Sequence, residues 1–363
     1  MAERIFVQAN EAVGWGAVSA GCMCFFGYPI TPQNEITEWF ARELPKRGKI
    51  FVQSQCETAA INMLYGAASV GVRAITSTSG PGWGLMQETM SNGANAEVPF
   101  VVVLVQRGGP GAGTTQHAQM DYITTTKGGG QGGYKTPVLA PASVQETHDL
   151  VQYAFYLADK HRTPVIVLTD AIVGQMAEPL EVKKLDFGPL PEKNWAAIGS
   201  KYHKDGKRVG ISCAQGWSGQ PPYFTYQSFL EHLDRKYPHI EETEQKYETW
   251  QVDDAKLILV AYGYTARVSL EAAMMARREG LKVGLIRPIT LWPFPSKIIK
   301  EKVAQKARFL VVEDSLGQMV EDVKCVVQGK TDVYFLGMLA RHQPGAGGMI
   351  FPDRVLQEVK KLL

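Results

Sequence analysis

The stretch ETAAINMLYGAASVGVRAITSTSGPG, residues 57–82, decides the fold. It begins with a segment whose alanines and glycines suit a closely packed helix, and Glu57 lies in the first turn of that helix. A short apolar strand near 72–77 follows, and it ends in a turn where Gly80 and Gly82 allow the backbone to approach a ligand closely. A helix, a buried strand and a glycine turn in succession are typical of one unit of a parallel α/β sheet.

The same alternation of apolar runs and helical patterns extends from Lys49 to about Thr169. The apolar runs predict strands near 23–28, 49–53, 72–77, 99–105, 136–139 and 164–168. The helices between them are predicted to begin at about Pro32, Glu57, Gly84 and Val144. This order predicts a doubly wound parallel α/β sheet.

The rest of the chain divides into two further regions. Between about Asp186 and Trp250 the sequence is rich in Pro, Gly, Tyr, Trp and charged residues, and periodic α/β order returns at Ala255. One hydrophobic core rarely grows to the size of this 363-residue chain. We therefore predict a first domain at 1–185, an extended connecting arm at 186–252 and a second α/β domain at 253–363 that ends in a helix from about Pro352.

Charge and hydropathy argue against two classes of partner. The formal net charge is +2 and no basic block occurs, so nucleic acid is not expected. The apolar run 12–26 follows acidic Glu3 and Glu11 and is too short to span a bilayer. We predict instead a buried first helix capped by Asn10, and no membrane association.

The chain has five cysteines, an odd number, and no C-x-x-C pair, which argues against a disulfide framework and against a cysteine-ligated iron–sulfur cluster. Cys22 and Cys24 are predicted to be core residues because no second pair is present to complete a metal site. We predict no metal ligands in this chain and a reducing, cytoplasmic compartment.

In a parallel sheet, the loops at the carboxyl ends of the strands build the binding site. The loop GYPITPQNE, 27–35, follows the first strand, with Thr31 as the predicted N-cap of a helix and Pro32 as its first residue. Such a helix start can hold a carboxylate or a phosphate, and it is also compatible with an ordinary capped helix. Glu57 has the same ambiguity, because the helix dipole stabilises an acid there whether or not it reacts.

Two glycine-rich loops follow later in the first domain. Arg107 ends the fourth strand before GGPGAG, where an arginine either pairs with a structural acid or holds a carboxylate through two hydrogen bonds. The loop KGGGQGGY, 127–134, matches no nucleotide-binding motif, and we predict a mobile substrate-covering loop or a subunit contact. Between them, His117 and Asp121 are compatible with polar lining of the site or with surface positions.

Considered together, these segments resemble a known family. Residues 57–82 resemble the pyrimidine-binding domain of thiamine-diphosphate enzymes. With GYPITPQNE, RGGPG, KGGGQGGY and VLAPASVQE, the chain resembles the alpha-type subunit of 2-oxoacid:ferredoxin oxidoreductases, most closely the 2-oxoisovalerate (branched-chain) type. RPITLWPFP and VVEDSLGQM resemble the family's transketolase-C-terminal-like α/β domain. The similarity is weakest between about 186 and 250.

The resemblance implies roles for individual residues. Glu57 matches the glutamate that hydrogen-bonds N1′ of the cofactor's aminopyrimidine ring and so favours loss of the thiazolium C2 proton. Thr31 and Arg107 match positions that hold the substrate's carboxylate and nearby oxygens. A second acid often precedes that glutamate by two residues, where this chain has Gln55. The other candidates are the cofactor-binding Ser79, Gly80, Pro81 and Gly82 and the lining residues Tyr28, Pro29, Ile30, His117 and Lys127.

The resemblance also implies partners. Thiamine enzymes hold the diphosphate through Mg²⁺, usually with a G-D-G motif that this chain lacks. A beta-type subunit is therefore expected to carry the diphosphate and Mg²⁺, and gamma-type and ferredoxin-like subunits are expected beside it, with the iron–sulfur clusters on the partners. The implied reaction is oxidative decarboxylation of a 2-oxoacid to acyl-CoA and CO₂, with coenzyme A as co-substrate and electrons passed to ferredoxin.

Two other functions are compatible with the fold. One is a subunit of another split thiamine enzyme, of transketolase or dehydrogenase type, against which GYPITP and KGGGQGGY argue. The other is a non-catalytic assembly subunit, against which the presence of Glu57, Thr31 and Arg107 argues. Branched-chain, aryl, 2-oxoglutarate and pyruvate substrates all stay open, because selectivity depends on a pocket that the partner helps to shape.

Overall fold

The computed structural model describes residues 3–216, 222–339 and 349–363. Its strands are β1 (Glu3–Gln8), β2 (Cys24–Gly27), β3 (Ile50–Gln53), β4 (Ala74–Thr78), β5 (Val101–Gln106), β6 (Val138–Leu139), β7 (Val165–Asp170), β8 (Ala177–Val182), β9 (Tyr247–Trp250), β10 (Leu257–Val260), β11 (Val283–Pro288), β12 (Thr290–Trp292), β13 (Arg308–Val312) and β14 (Val333–Leu336). Its helices are α1 (Ala9–Ser19), α2 (Asn34–Glu43), α3 (Glu57–Ser69), α4 (Gly80–Asn95), α5 (Tyr122–Thr126), α6 (Val144–His161), α7 (Ala171–Gln175), α8 (Tyr226–Thr243), α9 (Gly263–Arg278), α10 (Ser296–Ala304), α11 (Met319–Val327) and α12 (Pro352–Leu362). None of the helices in these ranges has both the length and the apolar character needed to cross a membrane.

The larger sheet has seven strands in the order β12-β6-β7-β5-β4-β2-β3. Its neighbouring strands are parallel except for β12, which runs antiparallel to β6. On β5, Val101 and Val103 pack with α1, α2 and α6, whereas Val102 and Leu104 pack with α3 and α4. Helices therefore cover both faces of the sheet, and the predicted doubly wound α/β fold is confirmed.

A second sheet has five strands in the order β14-β13-β10-β11-β9. Only β9 is antiparallel to its neighbour among these described strands. Helices α9 and α12 pack on one face, and α10 and α11 pack on the other. The second half of the chain is thus an α/β unit, as its periodic pattern indicated. In the first half, strands β1 and β8 form a separate antiparallel ribbon.

Strands cross the predicted domain limits. β12 lies in the range 253–363 but joins the larger sheet, and β9 lies in the range 186–252 but joins the second sheet. The predicted arm is also not extended throughout, because Thr225 and Ser228 form a capping box that begins the 18-residue helix α8. The limits of the three regions stay a prediction.

The region around α8 is attached to the larger sheet through Glu97. This buried carboxylate follows α4 and accepts hydrogen bonds from the Tyr223 hydroxyl, His232 Nε2 and Lys236 Nζ, each at 2.7 Å. Three donors on one buried carboxylate compensate its desolvation and hold α8 against the first domain.

The start of α2 differs from the prediction. The helix begins at Asn34 with Gln33 as N-cap, so Thr31 and Pro32 lie outside it. Gln33 is fully buried, its side-chain amide donates to the Tyr28 carbonyl (3.0 Å), and its Oε1 accepts from the Ser77 hydroxyl (2.6 Å). These bonds hold the loop against β4 in a non-helical path, and rules for local capping do not foresee them.

Two further helix starts were predicted wrongly. α4 begins at Gly80 and not at Gly84, with Ser79 as N-cap, so the predicted glycine turn is the first turn of the helix. α1 begins at Ala9 with Gln8 as N-cap. Asn10 instead donates from its side chain to the carbonyl of Pro32 (2.9 Å) and therefore joins α1 to the loop before α2.

The two sheets meet at a buried polar cluster around Gln119. Its side-chain amide donates to the Tyr262 carbonyl (2.9 Å) and to Asp170 Oδ2 (3.3 Å). Its Oε1 accepts from the backbone N–H of Asp314 (3.0 Å), and the backbone N–H of Tyr264 also donates to Asp170 (3.0 Å). Asp170 ends β7, whereas the other partners follow β10 and β13, so the cluster joins the carboxyl edges of both sheets.

Candidate functional site

Glu57 opens α3 shortly after β3, and the residue is 7% exposed. Its N-cap, Cys56, makes no side-chain capping bond. Among the described residues, no group donates a hydrogen bond to the Glu57 carboxylate. The carboxylate is therefore left without a protein partner, and its position suits a ligand that can share a proton with it.

The first turn of α4 lies against Glu57. A methyl group at Gly82 would lie 2.7 Å from Glu57 Oε1 and would also collide with the Thr78 hydroxyl. The helix backbone can approach the carboxylate only because residue 82 has no side chain. The hydroxyl oxygens of Thr78 and Ser79 are buried and have no hydrogen-bond partner in the described part of the chain.

Arg107 lies on the other side of the same turn. A methyl group at Gly80 would lie 3.4 Å from Cγ of Arg107. Arg107 Nη1 donates to the Thr31 carbonyl and Nη2 donates to the Ala112 carbonyl, each at 2.9 Å. Its Nε is buried without a partner, and no described carboxylate lies within 4.0 Å of the guanidinium. The geometry thus disfavours a structural ion pair and leaves the positive charge available to an anion.

The structure therefore brings Glu57, residues 79–82, Arg107 and the backbone of Thr31 together at one edge of the larger sheet. The Thr31 side chain is exposed, and so are Tyr28 and Pro29 at the rim. Ile30 is half-buried. The contacts of these residues with a ligand stay a prediction.

His117 and Lys127 have partners from the second half of the chain. His117 Nδ1 lies 2.7 Å from Asp314 Oδ2, and this hydrogen bond raises the pKa of His117. Lys127 pairs with Asp322 on α11. Both side chains join the two sheets, and their predicted role in lining the site stays a prediction.

Gln106 was missed by the sequence analysis, and Asp121 was given little weight. Gln106 is fully buried, and its Oε1 accepts from the Asp121 backbone N–H (3.2 Å) and the Tyr262 hydroxyl (3.4 Å). Burial raises the pKa of Asp121 to about 7, although the Arg107 guanidinium opposes this shift. No local signal marks Gln106, because its partners are Asp121 and Tyr262, and Tyr262 lies in the distant turn between β10 and α9.

The loop 127–134 packs on α4. Methyl groups at Gly129 and Gly130 would collide with Gln87 and Ser91, respectively. Close packing on the helix therefore explains two of its glycines. Its predicted role as a substrate cover or a subunit contact stays a prediction.

Comparison with known proteins decides the family. Residues 15–249 match the family described as pyruvate flavodoxin/ferredoxin oxidoreductase, thiamine diphosphate-binding, and residues 255–348 match pyruvate:ferredoxin oxidoreductase core domain II. The chain belongs to this family. It is 45% identical to the ketoisovalerate oxidoreductase subunit VorB of Methanothermobacter thermautotrophicus over 98% of this chain and 97% of that protein. It is 36% identical to the 2-oxoglutarate synthase subunit KorA of Methanothermobacter marburgensis over 99% of each chain.

Solved structures agree with membership of this oxidoreductase family. The 2-oxoglutarate:ferredoxin oxidoreductase from Magnetococcus marinus, solved with 2-oxoglutarate, coenzyme A and succinyl-CoA bound, matches with a TM-score of 0.84 and 28% identity. The match covers 99% of this chain and 65% of that chain. A split-gene transketolase, as an inactive beta4 tetramer, matches with a TM-score of 0.61 and 14% identity, which supports the fold alone. The predicted recognition as an alpha-type subunit of a 2-oxoacid:ferredoxin oxidoreductase is confirmed.

The packing of Gly82 on Glu57 predicts that Gly82→Ala destabilises the isolated chain by about 1–3 kcal/mol, because overpacking forces Glu57 or Thr78 to move. Gly84→Ala is the matched control, since it lies in the same helix and a methyl group there meets no atom within 4 Å. Alanine at position 84 should be neutral or should stabilise the chain by up to about 1 kcal/mol. Denaturant unfolding followed by circular dichroism measures both variants, and equal midpoints for the two would contradict the packing argument.

Proposed function

We propose that this chain binds the pyrimidine half of thiamine diphosphate within a complex that decarboxylates a 2-oxoacid oxidatively to acyl-CoA and CO₂. The observation that carries this proposal is the position of the first turn of α4. A buried acid, Glu57, lies on one side of that turn, and Arg107, which has no carboxylate partner among the described residues, lies on the other. One helix start therefore places a proton-sharing group and an anion-binding group side by side.

The residues present fit an aminopyrimidine. In the described structure Glu57 has no protein donor, Gly82 lets the first turn of α4 approach it closely, and the buried Ser79 hydroxyl is without a partner. Glu57 would share a proton with N1′ of the ring, and the backbone at Gly80 and Gly82 would contact the ring closely. When bound, thiamine diphosphate supplies the carbon nucleophile that attacks the substrate's keto carbon.

Arg107 would bind the carboxylate of the 2-oxoacid. Its two Nη atoms each donate one bond to a backbone carbonyl, which orients the guanidinium plane, and its Nε has no partner in the described part of the chain. A guanidinium has five N–H donors, so an oriented fork retains donors for a substrate anion. Thr31 would contribute indirectly. Its backbone carbonyl accepts a hydrogen bond from Arg107, and this bond holds the loop 27–35 against the guanidinium.

The other half of the site would come from partner subunits. The sequence has no G-D-G motif for Mg²⁺ and the diphosphate, and no cysteine pattern for an iron–sulfur cluster. We assign the diphosphate and Mg²⁺ to a beta-type subunit and the clusters to that subunit or to a ferredoxin-like one, with a gamma-type subunit as a further partner. Coenzyme A would accept the acyl group, and ferredoxin would accept the electrons.

A branched-chain 2-oxoacid is the substrate that we favour. The relative at 45% identity is named a ketoisovalerate oxidoreductase subunit, whereas the 2-oxoglutarate synthase subunit is at 36%. The pairing of charged side chains near the site is consistent with this choice. His117 is paired with Asp314 and Lys127 with Asp322, whereas Arg107 is not paired with a described carboxylate. One unpaired cation among these three described side chains suits a substrate with one carboxylate better than a dicarboxylate.

The test of this proposal is an assay of the native complex. Purification with all co-purifying subunits should yield iron–sulfur absorbance and 2-oxoacid-dependent reduction of a viologen dye that requires coenzyme A. Among pyruvate, 2-oxoglutarate, aryl and branched-chain 2-oxoacids, the branched-chain compounds should give the highest kcat/KM. Turnover without coenzyme A or without iron would indicate another split thiamine enzyme instead.

Replacing Glu57 by glutamine should separate chemistry from assembly. Glu57→Gln keeps the size and hydrogen-bonding capacity of the side chain but cannot share a proton with N1′. We expect complexes that assemble and bind thiamine diphosphate, with cofactor C2–H exchange and turnover slowed by about 10²-fold or more. Nuclear magnetic resonance at matched cofactor occupancy measures the exchange. Glu38→Gln, an exposed position on α2, is the control for loss of charge, and an unchanged exchange rate in Glu57→Gln would refute the assignment.

Arg107→Lys should lower kcat/KM by about tenfold or more, because lysine keeps the charge but loses the planar fork between two loops. Steady-state kinetics of the complex measure the loss. Arg278→Lys, at an exposed position near the end of α9, should leave kcat/KM unchanged. Wild-type kinetics in Arg107→Lys would assign Arg107 to structure alone.

A further inference from the structure

Three buried polar atoms without hydrogen-bond partners belong to residues at the end of β5 and in the loop that is bonded to it. They are Nε2 of Gln106, Nε of Arg107 and Oδ2 of Asp121, each unpaired within the described residues. Gln106 connects them, because it precedes Arg107 in the chain and its Oε1 accepts the backbone N–H of Asp121 (3.2 Å). Buried polar atoms are rarely left unpaired, so two donors and one carboxyl oxygen at one place indicate a polar ligand.

Asp121 is not needed to begin α5. Although it is the N-cap residue, its side chain makes no capping bond. Its backbone carbonyl instead accepts from the hydroxyls of Thr124 (3.0 Å) and Thr125 (2.9 Å). The carboxyl group therefore has no capping role in its own helix, and the Arg107 guanidinium after β5 acts on it electrostatically.

The charged and titratable groups around Asp121 come from several elements. Arg107 at the end of β5 and Tyr262 after β10 interact with it electrostatically. On the side of α11, Gln318 is uncharged and is bonded to the backbone of Met120 and Ile123. In the flanking loops, His117 is paired with Asp314 and Lys127 with Asp322. Arg107 is therefore the cation that interacts with the Asp121 carboxyl, because His117 and Lys127 are paired with other acids.

We propose that Asp121 is a further substrate-binding residue, whose carboxyl group donates a hydrogen bond to the carboxylate of the 2-oxoacid held by Arg107. This inference rests on the proposed binding of a 2-oxoacid at Arg107. It assigns to the chain a second substrate-binding group, separate from Glu57 and the cofactor.

The protonation state of Asp121 predicts how the affinity for the 2-oxoacid changes with pH. Burial raises the pKa of this acid to about 7, so it is largely neutral at pH 6 and largely ionised at pH 8.5. Ionisation replaces a donor by a negative charge beside an anionic substrate and also offsets the charge of Arg107. The apparent affinity for the 2-oxoacid should therefore fall as pH rises through this range, whereas kcat should change less.

The experiment measures KM and kcat of the reconstituted holoenzyme between pH 6 and pH 8.5 for wild type and Asp121→Asn, with 2-oxoisovalerate as the probe. We expect the wild-type KM to rise at least about fivefold, since one like charge nearby in a shielded site has an effect of this order. Asparagine keeps a donor and cannot ionise, so its KM should change by less than about twofold. If Asp121 had a purely structural role, Asp121→Asn would change kcat, the stability of the protein or both, but KM would still depend on pH in the variant.

Two results would overturn the inference. One is a wild-type KM that is flat over this range, which needs no variant and so does not depend on whether Asp121→Asn folds. The other is a rise in KM that is the same in wild type and Asp121→Asn, which would assign the titration to another group. Failure of the holoenzyme to turn over any 2-oxoacid would instead contradict the proposed function itself.

Discussion

The hydrogen bonds of Gln119 and Asp170 are the interaction on which the rest of the structure depends. Asp170 ends β7, caps α7 through the Val173 N–H (2.9 Å) and accepts the Tyr264 N–H at the start of α9. One buried carboxylate thus serves the N-terminal ends of helices in both halves of the chain. Gln119 bonds to the same carboxylate, and it lies between Arg107 and Asp121 in sequence. The loop that carries both of these residues is therefore held by the junction of the two sheets.

This arrangement gives the second half of the chain a role in the site. Asp314 holds His117, Asp322 holds Lys127, and Tyr262 bonds to Gln106, which adjoins Arg107. Acids from the second half of the chain thus pair with His117 and Lys127, whereas no described carboxylate pairs with Arg107, the residue that we propose binds the substrate. The electrostatics of the site on the first sheet are consequently set in part by residues more than a hundred positions away.

The errors of the sequence analysis have a common physical cause. Local capping preferences, which contribute about 1 kcal/mol, predict Thr31 and Asn10 as N-caps. In the structure, Gln33 bonds to Ser77 on β4 and Asn10 bonds to the carbonyl of Pro32. Buried hydrogen bonds between distant segments outweigh a local preference of that size, because an unmet buried polar group costs about as much or more.

The sequence by itself determined the doubly wound sheet, the order of its strands along the chain and the residues Glu57, Gly82 and Arg107 as candidates. Apolar periodicity and the chemistry of single residues are local properties and can be read from the chain directly. Only the tertiary structure decided that β12 joins the larger sheet and that Asp121 bonds to Gln106, the residue before Arg107. These depend on which distant segments become neighbours and on burial, which sets whether a carboxyl group carries a charge.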